Sequence, residues 1–166
     1  MLAAEAAKTL LAAFATQLEA QGVKVPKRRY VAPGQVPVWD DEQLVIALQD
    51  LPRGQPGRVE DTAGWPIPTV LNARFALQLV RSVPSLEGEA ILESMVPTDG
   101  SLDTAGLEMI SDAQELVTAA LAIQDKFMNA RVSVAGPGQF ALGPCTPLGP
   151  DGSFAATQIT VTIALD

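Results

Sequence analysis

The stretch QITVTIAL, residues 158–165, decides the fold class. Ile159, Val161, Ile163 and Leu165 alternate with Gln158, Thr160 and Thr162, the period of two that sends apolar side chains to one face of a strand and polar ones to the other. Two earlier runs repeat the pattern. Glu42–Asp50 sets Leu44, Ile46 and Leu48 against Val45 and Ala47, which share their side with Gln43 and Gln49. Ala73–Val83 gives Phe75, Leu77 and Leu79 a core face, while Arg74 and Gln78 join Ala76 and Val80 on a second face expected to be only partly buried. Lys27–Ala32 reads as a short strand ended by Pro33-Gly34, and a fourth strand is expected near Arg131–Val134, resuming at Gln139–Leu142. Residues 51–70 and GPCTPLGPDGS (143–153) are broken by Pro and Gly and read as long loops, a class usually functional or disordered.

Two segments have helical rather than strand periodicity. Residues 2–21 bring Ala3, Ala7, Leu10, Leu11, Phe14 and Leu18 to one side, with Gly22 as the residue after the helix end and Pro26 preventing continuation. The N-terminal run is not read as a signal peptide, because it lacks a basic start and is interrupted by Glu5 and Lys8. A second helix is expected from an N-cap at Ser101 to about Met128. Its core stripe is read as Leu107, Ile110, Val117 and Leu121, widened by Leu116, Ile123 and Phe127, with Gly106 and Ser111 as points where it kinks or splits. Residues 84–101 are acidic and irregular, with EAILESMV (89–96) adding a helical turn or two. The order α-β-β-β-α-β-β joins strands directly and so implies mostly antiparallel pairing. The expectation is an α+β fold, a single domain over 1–166. It has two layers, a sheet of four to five strands with two main helices packed on one face.

Composition bounds the function. Hydrophobic residues make up 48% of the 166 and charged residues 18%, enough for a sizeable, largely aliphatic core. The net charge of −8 is uneven. Residues 1–83 carry nine basic and eight acidic side chains, and residues 84–166 carry two and eleven, which argues against wrapping nucleic acid. There is no His and a single cysteine, Cys145, so zinc sites built on Cys and His, an internal disulfide, and Ser-His-Asp or Cys-His catalysis in their usual forms are excluded. No segment approaches the ~18–20 uninterrupted apolar residues of a membrane span.

Individual motifs give little chemistry. GPGQFA (136–141) matches G-x-G-x-x-A, but a dinucleotide site needs a helix next, and Gly143-Pro144 points to a bent hairpin or bulge. DTAG (61–64) matches the D-x-x-G of GTPases without any P-loop. Asp40, Asp41 and Glu42 fit no EF-hand spacing and read as a solvated approach to a strand. Lys27, Arg28 and Arg29 are too few, with one Tyr beside them, for a nucleic-acid surface. Cys145 reads as an inert thiol. Trp39 and Trp65 sit in breaker-rich segments, where each either anchors an interface or caps the core from a loop. No nucleophile, base and orienter assemble, so no catalytic residue, cofactor or metal is assigned and no enzymatic role is expected.

The stretches RRYVAPGQVPVWDDEQLVIAL (28–48), GQPG (54–57), ARFALQLVRSVP (73–84), DAQELVTAALAI (112–123), ALGPCTPLGPDGSFA (141–155) and TQITVTIAL (157–165) give the chain a layout that resembles the tail terminator, or head-to-tail connector, proteins of long-tailed (siphovirus-like) actinobacterial phages. The resemblance implies a structural virion protein at the head–tail junction, assembled in the host cytoplasm into a homo-oligomeric ring, a hexamer. The ring caps the tail tube, ends its polymerisation and joins tail to head. Its implied partners are the major tail tube protein and a head-completion or connector protein, with DNA passing through the ring and no membrane contact. On that implication Arg28, Arg29, Trp39, Arg53, Arg58 and Trp65 are the expected interface residues. Other readings are a different head–tail joining protein (head-closure or minor tail), a bacterial small-molecule-binding or regulatory α+β domain with an apolar pocket, and a carboxylate-only enzyme.

Overall fold

A computed structural model describes residues 2–52, 71–84, 96–130 and 140–165. The chain runs α1 (Ala3–Ala20), β1 (Arg28–Val31), β2 (Gln43–Asp50), β3 (Asn72–Ser82), α2 (Asp99–Ala130), β4 (Phe140–Asp151) and β5 (Phe154–Ala164). The fold is α+β, a five-stranded sheet in the order β1-β2-β3-β5-β4 with both helices on one face. Every pairing is antiparallel except that of β1 with β2, so the sheet is mixed at that edge.

The register stacks the apolar positions read from the sequence into rows. Ile46 lies opposite Leu77, Leu77 opposite Ile159, and Ile159 opposite Cys145. The next row is Leu48, Phe75, Val161 and Leu142. Together with Leu10, Phe14 and Leu18 of α1 and Leu116, Ala119, Ala120 and Ile123 of α2, these rows form the main core. α1 ends as its sequence demands: Gly22 at φ +82, with its N–H donating to the Glu19 carbonyl and that of Val23 to the Leu18 carbonyl, both at 3.0 Å. That double bond is a Schellman motif, and the left-handed residue it requires suits glycine.

Three expectations are corrected. GPCTPLGPDGS is not a loop. It supplies most of β4, a 12-residue edge strand that absorbs its Gly and Pro residues through register shifts at Leu142/Cys145 and Leu148/Asp151. Pro is tolerated there because an edge strand needs only one row of ladder bonds. α2 starts at Asp99 rather than after Ser101, because the Thr98 hydroxyl accepts from the Ser101 N–H at 3.2 Å. It continues unbroken through Gly106 and Ser111. The stripe expected to be its core is outside: Leu107, Ile110, Val117 and Leu121 are exposed. The second sheet face is partly buried, as expected: Gln43, Val45, Ala47, Ala76, Gln78 and Val80 are covered, Thr160 and Thr162 are half-covered, and Arg74 is exposed. The expected strand over 131–134, residue 139, the turns within 89–95, the loop residues 53–70 and the side chain of Phe127 lie outside the described residues.

Candidate functional site

The second sheet face owes part of its cover to the segment between β1 and β2. Tyr30, Ala32 and Trp39 pack on Val45, Val80 and Ala156 with Leu148 and Phe154, a small apolar cluster separate from the main core. The indole N–H of Trp39 donates to Gln78 Oε1 at 2.9 Å, and Gln78 Nε2 donates to Gln158 Oε1 at 2.9 Å, a polar line across the sheet. Gly149 lies under the indole; at φ +92 a Cβ there would meet Trp39 Cζ3 at 3.0 Å and the Asp151 nitrogen at 3.1 Å. Trp39 therefore caps this face of its own chain, one of the two roles open to it in the sequence. The large apolar side chains that this segment turns outward are Val36 and Val38, 84% and 73% exposed, while Pro37 between them is buried.

Arg28 and Arg29 leave β1 on opposite sides of the sheet. Arg28 pairs with Asp40 at 2.8 Å and lies 5.4 Å from the centre of the Tyr30 ring. Arg29 donates to the Pro26 carbonyl at 2.9 Å and to Glu19 on α1. Both are exposed, so each ion pair adds at most about 1 kcal/mol. Arg53, Arg58 and Trp65 lie outside the described residues, as does DTAG. Glu42 accepts from the Ser82 N–H at 3.3 Å and Asp41 from the Glu42 N–H at 2.7 Å, so the acidic triplet is spent locally. Phe140 opens a strand where a dinucleotide site would open a helix.

One arrangement was missed in the sequence. Arg81, at the end of β3, is buried and forked onto Asp112 of α2, Nε to Oδ2 at 2.8 Å and Nη2 to Oδ1 at 3.0 Å. Its Nη1 donates to the Lys24 carbonyl at 2.7 Å, and Glu108 stands 4.0 Å away. Burial works to lower the guanidinium pKa, but the bond to Asp112 and the charges of Asp112, Glu108 and Glu42 carry it above its ordinary value. The signal was phase: Arg81 follows Phe75, Leu77 and Leu79 at the strand period, and Asp112 precedes Leu116, Ala119 and Ile123 at the helical one. These residues line a cleft of about 300 Å³ with Gln21, Gly22 and Glu115. Its walls are polar and Arg81 is already engaged, so it does not offer the apolar, convergent pocket of a small-molecule domain. Cys145 faces the Ala113 carbonyl at 3.8 Å, and burial pushes its thiol pKa up, away from nucleophilic use. Among the described residues no group of His, Cys, Asp or Glu is arranged to hold a metal ion.

What remains is the outer face of α2. With 3.6 residues per turn, the buried residues Leu116, Ala119, Ala120 and Ile123 and the exposed stripe Leu107–Ile110–Val117–Leu121 are centred roughly 150° apart around the helix. The stripe thus points away from the sheet. Its positions between and beside, Thr104, Gly106, Ser111, Ala113, Gln114 and Thr118, carry no charge. The acids of α2 sit at its ends (Asp99, Asp103, Asp125) or away from the stripe: Glu115 accepts from Gln21 just after α1, Asp112 accepts from Arg81 of β3, and Glu108 stands near the same guanidinium. A charge-free apolar strip about four turns long, on a chain of net charge −8, has the chemistry of an interface core rather than of a solvated face. No protein-family model matches the chain, and no curated protein matches it.

Proposed function

We propose that this protein is a structural, non-enzymatic assembly subunit, a tail-terminator-like protein that forms a ring, a hexamer, at the phage head–tail junction. The observation that supports the reading is the outward stripe of α2, four exposed apolar side chains with no charge among them. The resemblance of the chain's layout to tail terminators supplies the class. The ring caps the tail tube, contacts the tube protein on one side and the head connector on the other, and lets DNA through. Arg28 and Arg29 remain candidates for ring contacts, each giving up a weak pair within its own chain to reach a neighbour.

The test is the mass of the purified protein by light scattering after size exclusion, at low and high salt, with electron microscopy of the peak. A hexamer, or a monomer–hexamer equilibrium that shifts with salt, supports the ring. Arg28→Glu with Arg29→Glu should then weaken it. A strict monomer at high concentration, with no ring in the images and no binding to tail tubes, refutes the reading.

A further inference from the structure

α2 has two apolar sides, and the sheet takes the smaller one. Leu116, Ala119, Ala120 and Ile123 are buried, while Leu107, Ile110, Val117 and Leu121 are exposed. Apolar area alone favours the reverse, because the outer side carries a second Leu and a Val where the inner side carries two Ala. Bulk does not forbid the reverse either, since helices pack at distances that vary by about 2 Å with the side chains at the contact. We propose that the buried pair of Arg81 and Asp112 makes the choice, specifying which side of α2 packs on the sheet.

Asp112 belongs to the buried side. At 3.6 residues per turn it lies within about 30° of the centre of Leu116, Ala119, Ala120 and Ile123. Turning α2 by the roughly 150° between its two sides carries both Asp112 and Glu108 away from the sheet and brings Ile110 toward the guanidinium instead. Arg81, 5% exposed, then keeps only the Lys24 carbonyl. A buried cation facing apolar side chains is heavily penalised, which rules that packing out. The other polar contacts of α2 do not enforce a side. Gln21 reaches the Glu115 carbonyl and carboxylate, Gln124 the Phe140 carbonyl, Lys126 the Gln17 amide and Cys145 the Ala113 carbonyl. All of these are part-buried or exposed, where water can replace them at little cost. The selection acts within one subunit and does not depend on ring assembly. Its consequence is that the bulkier stripe stays outward.

Arg81→Met/Asp112→Leu removes both charges and keeps the volume. Three reporters are placed singly in it and in the parent protein: Ala119→Cys on the inner side of α2, Gln114→Cys on the outer side, and Ala47→Cys on the second sheet face, where it registers global opening. Alkylation of dilute folded protein is read by peptide mass spectrometry, so that Cys145 is counted apart. Without the pair, the 119 site should react at least ~10-fold faster than in the parent and the 114 site about threefold slower, with the 47 site unchanged, because each rate follows the population that exposes the site. Rotation alone gives these opposed changes. A pair that only stabilises the fold would raise the 119 and 47 sites together, and an undocked α2 would open the 119 site while the 114 site stayed open. Either of those results, or a 119 site as protected as in the parent, overturns the inference. Circular dichroism checks folding. If the first variant fails, Arg81→Leu/Asp112→Met fills the same space and is read in the same way. Failure of both to fold also overturns it, since the pair would then sustain the fold rather than choose between two packings.

Discussion

Asp112→Ala should be the most costly single substitution in the described structure outside the apolar core. Arg81 and Asp112 are each about 5% exposed, and the carboxylate accepts two of the three hydrogen bonds that the guanidinium makes. Without it, Arg81 keeps the Lys24 carbonyl and a carboxylate 4.0 Å away that is itself exposed. Breaking a buried pair by removing one partner costs about 3–5 kcal/mol, because the surviving charge stays out of water. Against a total stability of about 5–15 kcal/mol this is a large fraction. With a urea dependence of about 2 kcal/mol per molar, the unfolding midpoint should fall by about 2 M. Replacing both partners with apolar side chains, Arg81→Met with Asp112→Leu, should recover most of the loss, since a buried pair contributes little beyond an apolar contact of the same size. The remaining deficit is the Lys24 carbonyl left without its donor, about 1 kcal/mol. Urea titrations followed by circular dichroism measure all three proteins. A loss of under about 1 kcal/mol in Asp112→Ala would refute the argument, because it would mean that water reaches the guanidinium freely.

Three further outcomes follow from local geometry. Trp39→Phe keeps the ring on the second face but strands Gln78 Oε1, so stability should fall by about 1–3 kcal/mol in the same titration. Gly22→Ala forces an alanine to φ +82 in the Schellman turn and should lower stability by about 1 kcal/mol, visible as a thermal midpoint drop of a few degrees. Cys145 should alkylate more slowly in the folded protein than in urea at pH 8, with its rate still rising above the pH at which a free thiol levels off. Because its folded pKa is raised, the stability linked to the neutral thiol is complete below the unfolded pKa and is lost as pH climbs through the folded one. Equal rates in both states would contradict the burial.

Both helices, the strands β1, β2, β3 and β5, and the side of β2, β3 and β5 that meets the helices were legible from the residues alone, because a period of two on a half-covered strand admits one assignment of faces. The sequence also located the end of α1, where Gly22 and the residues around it make a local motif that needs no tertiary partner. The tertiary structure decided the rest. β4 could not be read from GPCTPLGPDGS, since the tolerance of an edge strand for Pro comes from its position in the sheet and not from its own residues. α2 has two apolar sides. Periodicity alone favours the bulkier Leu107–Ile110–Val117–Leu121 stripe, yet the sheet takes the side with Ala119 and Ala120, where small side chains let the helix approach and Asp112 reach Arg81. The candidate interface exists because of that choice: burying the Ala-rich side turned four large apolar residues outward, and only packing between elements distant in sequence could make it.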